Sequence, residues 1–323
     1  MKKLEYEPSD SMQTYLWALV LPLMLSLIIS LFLQGSETIT TPEGKEIFAV
    51  TEKVWFVCVL RACTALLLVG LFFVYSKTKN VQALKASGLT QKSNYLNIAI
   101  CAVLGIGICY LCSPIISLLS NLFSQIGIPV QTEIDIPLSS FGYYALAVLM
   151  IGILPAITEE LVFRGIIFNG LKKCGKWTAI LLSAVMFSLM HANVPQFPFT
   201  FILGVVLGLV MWETGALWLC MILHFFNNFT VLTSMYISAI TGGGESVTNI
   251  SVVTVLLSIL MFALAILLVY LAIFLIKKIG KKSECAPNAE TITPKKSIFG
   301  FREIVFLSLG IGVAVGLTII KTI

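Results

Sequence analysis

An all-α, polytopic membrane helical bundle of about nine transmembrane helices (eight or nine) is predicted by three features of this 323-residue chain. The first is composition. Hydrophobic residues make up 58% and charged residues 11%, with a mean hydropathy of +0.98, whereas soluble domains carry about 25% charged residues. The second is a series of apolar runs long enough to cross a hydrocarbon core of about 30 Å. The third is the alternation of basic residues between the connections that join those runs.

The runs lie at residues 13–34, 54–75, 95–119, 142–171, 177–192, 199–212, 215–238, 250–276 and 303–321, the fifth and sixth being short. The first follows MKKLEYEPSDSMQ and has no small-x-small cleavage site behind it, so it reads as a retained anchor. One set of alternate connections holds sixteen basic residues, at 2, 3, 77, 79, 85, 92, 172, 173, 176, 277, 278, 281, 282, 295, 296 and 302. The other set holds three, Lys45, Lys53 and Lys321. Basic residues are retained on the cytoplasmic side, so the N-terminus is expected in the cytoplasm and the C-terminus outside, which requires an odd number of spans. The net charge of +5 follows from this topology and implies no nucleic-acid partner. The expected surroundings are a lipid bilayer, with a bacterial inner membrane as the expected cell membrane.

No repeat of about 20–50 residues is visible, nor a matching pair of broken helices in two halves. The chain divides into N-terminal spans at 1–140, a central region at 141–238, and C-terminal spans at 239–323. The last part contains a polar, proline-containing stretch at 281–298 that reads as a flexible cytoplasmic linker. Cys109 and Cys112 form a C-x-x-C, but inside an apolar span they read as small packing residues without a metal or redox role.

Chemistry concentrates in the centre. ITEELVFRG at 157–165 places Glu159, Glu160 and Arg164 in a span, where each charge costs at least about 2.5–3.5 kcal/mol. The two histidines of the chain, His191 and His224, lie in the spans that follow. With a rise of about 1.5 Å per residue, Glu159 lies ~20 Å from Lys172, His191 ~22 Å from Lys176 and His224 ~16 Å from Glu213. All three reach the middle depth of the membrane, from different helices. Residues four apart share a helix face, so Glu160 and Arg164 are placed to pair, while Glu159 points about 100° away and is left free. By the same spacing His224 and Asn228 project together.

A carboxylate, two imidazoles and an amide can hydrolyse a peptide: one carboxylate and one histidine deprotonate water, and the other histidine with the amide stabilises the oxyanion. The same set, as Glu159, His191 and His224, has the donors for a Zn²⁺ ion with an open position for water. The residues alone leave both open. Other proteolytic chemistries lack their parts: Asp10 and Asp135, the two aspartates, fall outside the runs, and the chain has neither G-x-S-x-G nor H-E-x-x-H. A non-catalytic regulator would keep partner binding without Glu159 and His191, and an ion-coupled transporter would show solute counterflow. Phe187 is expected to pack against His191, and Gly204 and Gly208 to bring two helices close. Gly215 is expected to open a turn, with Glu213 at the interface.

These residues resemble a known family. EELVFR at 159–164 resembles E-E-x-x-x-R, FSLMH at 187–191 resembles F-x-x-x-H, and HFFNN at 224–228 resembles H-x-x-x-N. These are the motifs of the CPBP family, the CAAX prenyl proteases and the Abi-type bacteriocin-processing or immunity proteins. The similarity extends over about residues 140–232. It implies an intramembrane endopeptidase acting on a peptide or membrane-protein precursor, with Glu159 and His191 activating water, His224 and Asn228 forming the oxyanion hole, and Glu160 and Arg164 in support. A glutamate-type mechanism without a cofactor is favoured over the zinc version. The Abi branch implies the alternative of a non-catalytic regulator or bacteriocin-immunity protein.

Overall fold

The computed structural model describes residues 3–33, 38–40, 46–48, 53–128, 130, 136–242, 251–282 and 300–322. Its long helices are α1 (Pro8–Phe32), α2 (Val54–Thr78), α3 (Leu96–Gln125), α4 (Phe141–Cys174), α5 (Lys176–Met190), α6 (Phe197–Thr214), α7 (Leu217–Thr241), α8 (Val252–Lys282) and α9 (Phe301–Thr322). Hydrocarbon offers the backbone no hydrogen-bond partner, so an isolated segment must satisfy itself as a helix. A small antiparallel hairpin, β1 (Thr38–Thr40) with β2 (Glu46–Phe48), lies in the α1–α2 connection. The greater part of the predicted linker at 281–298, and Asp135, lie outside the described residues.

Seven of the described helices are long and apolar enough to cross a membrane. The two shorter apolar stretches are Lys176–Met190, the predicted fifth span, and Glu303–Leu317 within α9. The sixth, predicted to be short, reaches 18 residues as α6 and is among the seven. The chain is therefore a multi-pass membrane protein. Its outer surface agrees: Leu256, Leu257, Leu260 and Ile266 on α8 are more than half exposed, apolar surface that suits acyl chains rather than water.

One apolar core draws on all nine helices, with Tyr15, Phe72, Ile108, Phe163, Phe187, Leu207, Leu223, Ala272 and Ala314 as members. Helix α1 begins at Pro8, five residues before the predicted run, which brings Asp10 into its first turn. Asp10 accepts from the Glu7 amide at 2.9 Å and pairs with Lys79 at 3.0 Å. The N-terminal segment is tied to the α2–α3 connection, where Lys3 N donates to Asn80 O at 2.8 Å and Gln82 N donates to Lys3 O at 2.9 Å. Lys173 reaches Glu5 and Glu7, and both Lys176 and Lys277 reach Glu213. These contacts gather at one end of the bundle the basic connections that the sequence assigns to one side.

Helices α5 and α6, which flank the site, pack closely. A Cβ on Gly204 would lie 2.9 Å from Ala184 Cα, and one on Gly208 would lie 3.4 Å from Ile180 Cα, so the G-x-x-x-G brings two backbones together as expected. Gly215 ends α6 at φ +63°, a left-handed conformation that glycine adopts without steric cost, and the chain reverses there into α7. Gly204→Ala is expected to push α5 from α6 and lower stability by about 1–3 kcal/mol. Gly316→Ala, whose Cβ meets nothing within 4 Å, should be neutral or stabilising; thermal unfolding of the detergent-solubilised variants compares the two.

Candidate active site

Helix α4 is not a uniform α-helix. Two π-helical segments, Val148–Ile153 and Phe163–Phe168, flank the α-helical stretch Leu154–Val162 that carries both glutamates. Such segments are rare and often mark functional sites. Glu160 and Arg164 are fully buried and ion-paired, Arg164 Nη1 donating to Glu160 Oε1 at 3.0 Å. Arg164 Nη2 donates to the carbonyl of Gly204 at 3.1 Å, which fastens α4 to α6. The guanidinium lies over the Phe187 ring, 4.6 Å from its centroid.

The third contact to this pair was not legible from spacing. His224 Nδ1 lies 3.0 Å from the same Glu160 Oε1, with the imidazole 4% exposed. Glu160 thus joins α7 to α4 as well as holding Arg164. A carboxylate accepts only, so Nδ1 of His224 carries a proton and Nε2 faces away from Glu160. His191 is fixed likewise: its Nδ1 lies 2.9 Å from the Phe187 carbonyl, which also only accepts, so in the neutral ring Nε2 keeps its lone pair. Both imidazoles stand edge-to-face with Phe187, at centroid distances of 5.0 Å for His191 and 5.7 Å for His224. Phe187 therefore does more than pack against His191; it touches three of the six candidate residues.

His191 itself caps α5, and the next residue, Ala192, has φ +47°. This left-handed conformation is uncommon for a residue with a Cβ and lies in the turn that ends α5. Ser188 braces the turn, contacting Thr200 Oγ1 at 2.7 Å and donating to Phe197 O at 3.1 Å.

Asn228 is half-buried and donates through Nδ2 to the carbonyl of Ile151 at 3.3 Å, in the first π segment. Its neighbour Asn227 is nearly fully buried and donates to Asn228 Oδ1 at 3.4 Å. The sequence reading passed over Asn227, whose only signal was a second amide beside the first. Glu159 is half-buried, and its Oε2 is enclosed without a hydrogen-bond partner among the described residues. Glu160, Arg164, His224, Phe187 and His191 thus form one contact network. Glu159 and Asn228 stand outside it, with no hydrogen bond between Glu159 and either histidine among the described residues. Among the described residues no three His, Cys, Asp or Glu side chains converge closely enough to hold a metal ion, so Glu159, His191 and His224 are not arranged as a ready ligand set.

Fold and site together define a multi-pass membrane protein that encloses a glutamate–arginine–histidine network within its helices. Residues 141–230 match the family model described as type II CAAX prenyl endopeptidase Rce1-like, so the resemblance carried by the three motifs is shown for that region. No curated protein and no solved structure matches the chain.

Removing Arg164 would leave Glu160 buried with His224 as its remaining partner. Arg164→Met is expected to cost about 3–5 kcal/mol of stability, read as a lowered unfolding temperature in detergent. Glu160→Gln combined with Arg164→Met should recover part of that loss, because no charge is then stranded.

Proposed function

We propose that the protein is an intramembrane endopeptidase of the CPBP/CAAX-protease type that hydrolyses a bond in a peptide or membrane-associated precursor. One observation carries this reading: of two adjacent glutamates, Glu160 is engaged by Arg164 and His224 through Oε1 and leaves only Oε2 without a partner, whereas Glu159 has no side-chain hydrogen bond or ion pair at all among the described residues and an enclosed Oε2. Ionisable groups at membrane depth are costly, and one left unsatisfied points to a substrate or a proton. The family match over 141–230 supports the same class of activity.

In this reading Glu159 and His191 take the proton of an attacking water, and His191 is suited to it because its Nδ1 is engaged with Phe187 O. The hydroxide adds to the scissile carbonyl, and the oxyanion is held by His224 and Asn228. The captured proton passes to the departing amine, which restores the base. Donation from His224 Nε2 requires protons on both ring nitrogens, and Glu160 supplies the countercharge at Nδ1. Glu160 and Arg164 thereby support the site. No cofactor enters these steps.

Cells expressing wild type are compared with cells expressing Glu159→Gln at equal membrane levels, and the released peptides are measured by mass spectrometry. A discrete peptide is expected to vanish with the carboxylate. Identical profiles would sink the proteolytic reading and turn attention to the regulator or immunity alternative. On the substrate so found, Asn228→Ala should lower kcat by about 10²–10³, the usual loss for one oxyanion donor. Cleavage by purified enzyme should also withstand a zinc chelator; activity lost to the chelator and restored by Zn²⁺ would replace the metal-free mechanism.

A further inference from the structure

We propose that the site opens toward the end of the bundle opposite the lysine-rich one, so that the peptide enters from the extracytoplasmic side. That a peptide enters rests on the proteolytic reading above; the direction of opening rests on packing alone. Helices α5 and α7 start at the same end, beside Lys176 and Glu213, which are paired at 2.7 Å. Yet α5 has 15 residues and α7 has 25, lengths of about 22 Å and 37 Å at the usual helical rise. The α5–α6 hairpin therefore turns back about 15 Å short of the far end of α7. His191 is the first residue of that turn.

Burial along α4 falls across this level. Toward the lysine-rich end the site is sealed by Ile167, Phe168, Leu171, Val210, Leu217 and Cys220, all with no exposed surface. Glu160, Arg164 and His224, on that side of the site, are buried as well. Glu159, His191 and Asn228, the groups that would meet a substrate, are half-buried. Beyond them toward the far end, α4 exposes Ile157, Ile153 and Leu149 at 41%, 36% and 48%, whereas from Glu160 to Phe168 every residue is buried. A polypeptide coming from the lysine-rich end would have to break a close-packed core, while one from the other end meets, beside a second apolar core of Ile136, Leu138, Ala147 and Leu232 between α2, α4 and α7, the level at which the α5–α6 hairpin has already turned back. Given that the basic residues lie in the cytoplasm, the substrate class is a segment on the extracytoplasmic side of the membrane, not a cytoplasmic C-terminal tail.

Gln196 is exposed in the hairpin turn, and Lys92 is exposed in the connection at the lysine-rich end. Gln196→Cys and Lys92→Cys are labelled with a membrane-impermeant maleimide in right-side-out and inverted vesicles, over the background of the native cysteines. Gln196→Cys is expected to label from the outer face only and Lys92→Cys from the inner face only. Asn193→Cys in the same turn repeats the test should Gln196→Cys fail to insert. Labelling of the turn from the same face as Lys92→Cys, or from neither face, overturns the proposal. The readout needs no cleavage, so an outer-face label combined with an unchanged peptide profile in Glu159→Gln would refute proteolysis and leave the opening in place.

Discussion

The carboxylate of Glu160 holds this site together, because a buried anion in a membrane protein must be compensated where it stands. Isolated in a low-dielectric interior, a carboxylate carries a desolvation penalty of several kcal/mol that only well-placed donors repay. Glu160 Oε1 receives Arg164 from its own helix and His224 from α7, and Arg164 passes the connection to α6 through the Gly204 carbonyl. Three helices are thus pinned at one point with no exposed surface. The Gly204–Ala184 approach belongs to the same arrangement, since α6 presents its backbone both to α5 and to the guanidinium.

What the sequence made legible is what depends on spacing within one helix. The Glu160–Arg164 pair follows from four-residue separation, the α5–α6 approach from G-x-x-x-G, and the reversal at Gly215 from the freedom of glycine. The gathering of basic ends follows from lysine alternation: Lys173 and Lys176 flank the α4–α5 connection, Lys277 lies at the end of α8, and all three find acidic partners at one end of the bundle. Contacts between helices were not legible. Nothing in HFFNN says that His224 meets Glu160, because that depends on how α7 is rotated against α4. The two π segments and the left-handed Ala192 are equally silent, as no residue type demands them and tertiary packing imposes both. Helix α5 reads as a span by composition, but its length is set by a turn at Ala192 rather than by a polar boundary. Asn227 was hidden because one amide beside another looks redundant until the fold shows that it donates to Asn228.

The two histidines show how one residue type can be given two tasks. Each has its Nδ1 engaged, but the partner differs in charge: a neutral carbonyl for His191 and a carboxylate for His224. A carbonyl fixes the tautomer and leaves the ring free to accept a proton at Nε2. A carboxylate does the same and also compensates a positive ring, which lets Nε2 donate. Phe187 stands between them, its edge-to-face contacts holding both rings while its face takes the Arg164 cation.

The adjacent glutamates are the counterpart of that division. One helical step of about 100° turns Glu160 into the interior, where Arg164 and His224 hold its Oε1, and Glu159 toward the half-buried boundary, where no side chain among the described residues pairs with it. Had both faced the interior, two carboxylates would compete for one guanidinium, and like-charge repulsion would keep one protonated. Had both faced the boundary, His224 would lose the partner that fixes its tautomer. The pair E-E is therefore the shortest sequence that supplies one carboxylate held by an ion pair and one without a side-chain partner at one depth, and Arg164 four residues on selects which is which.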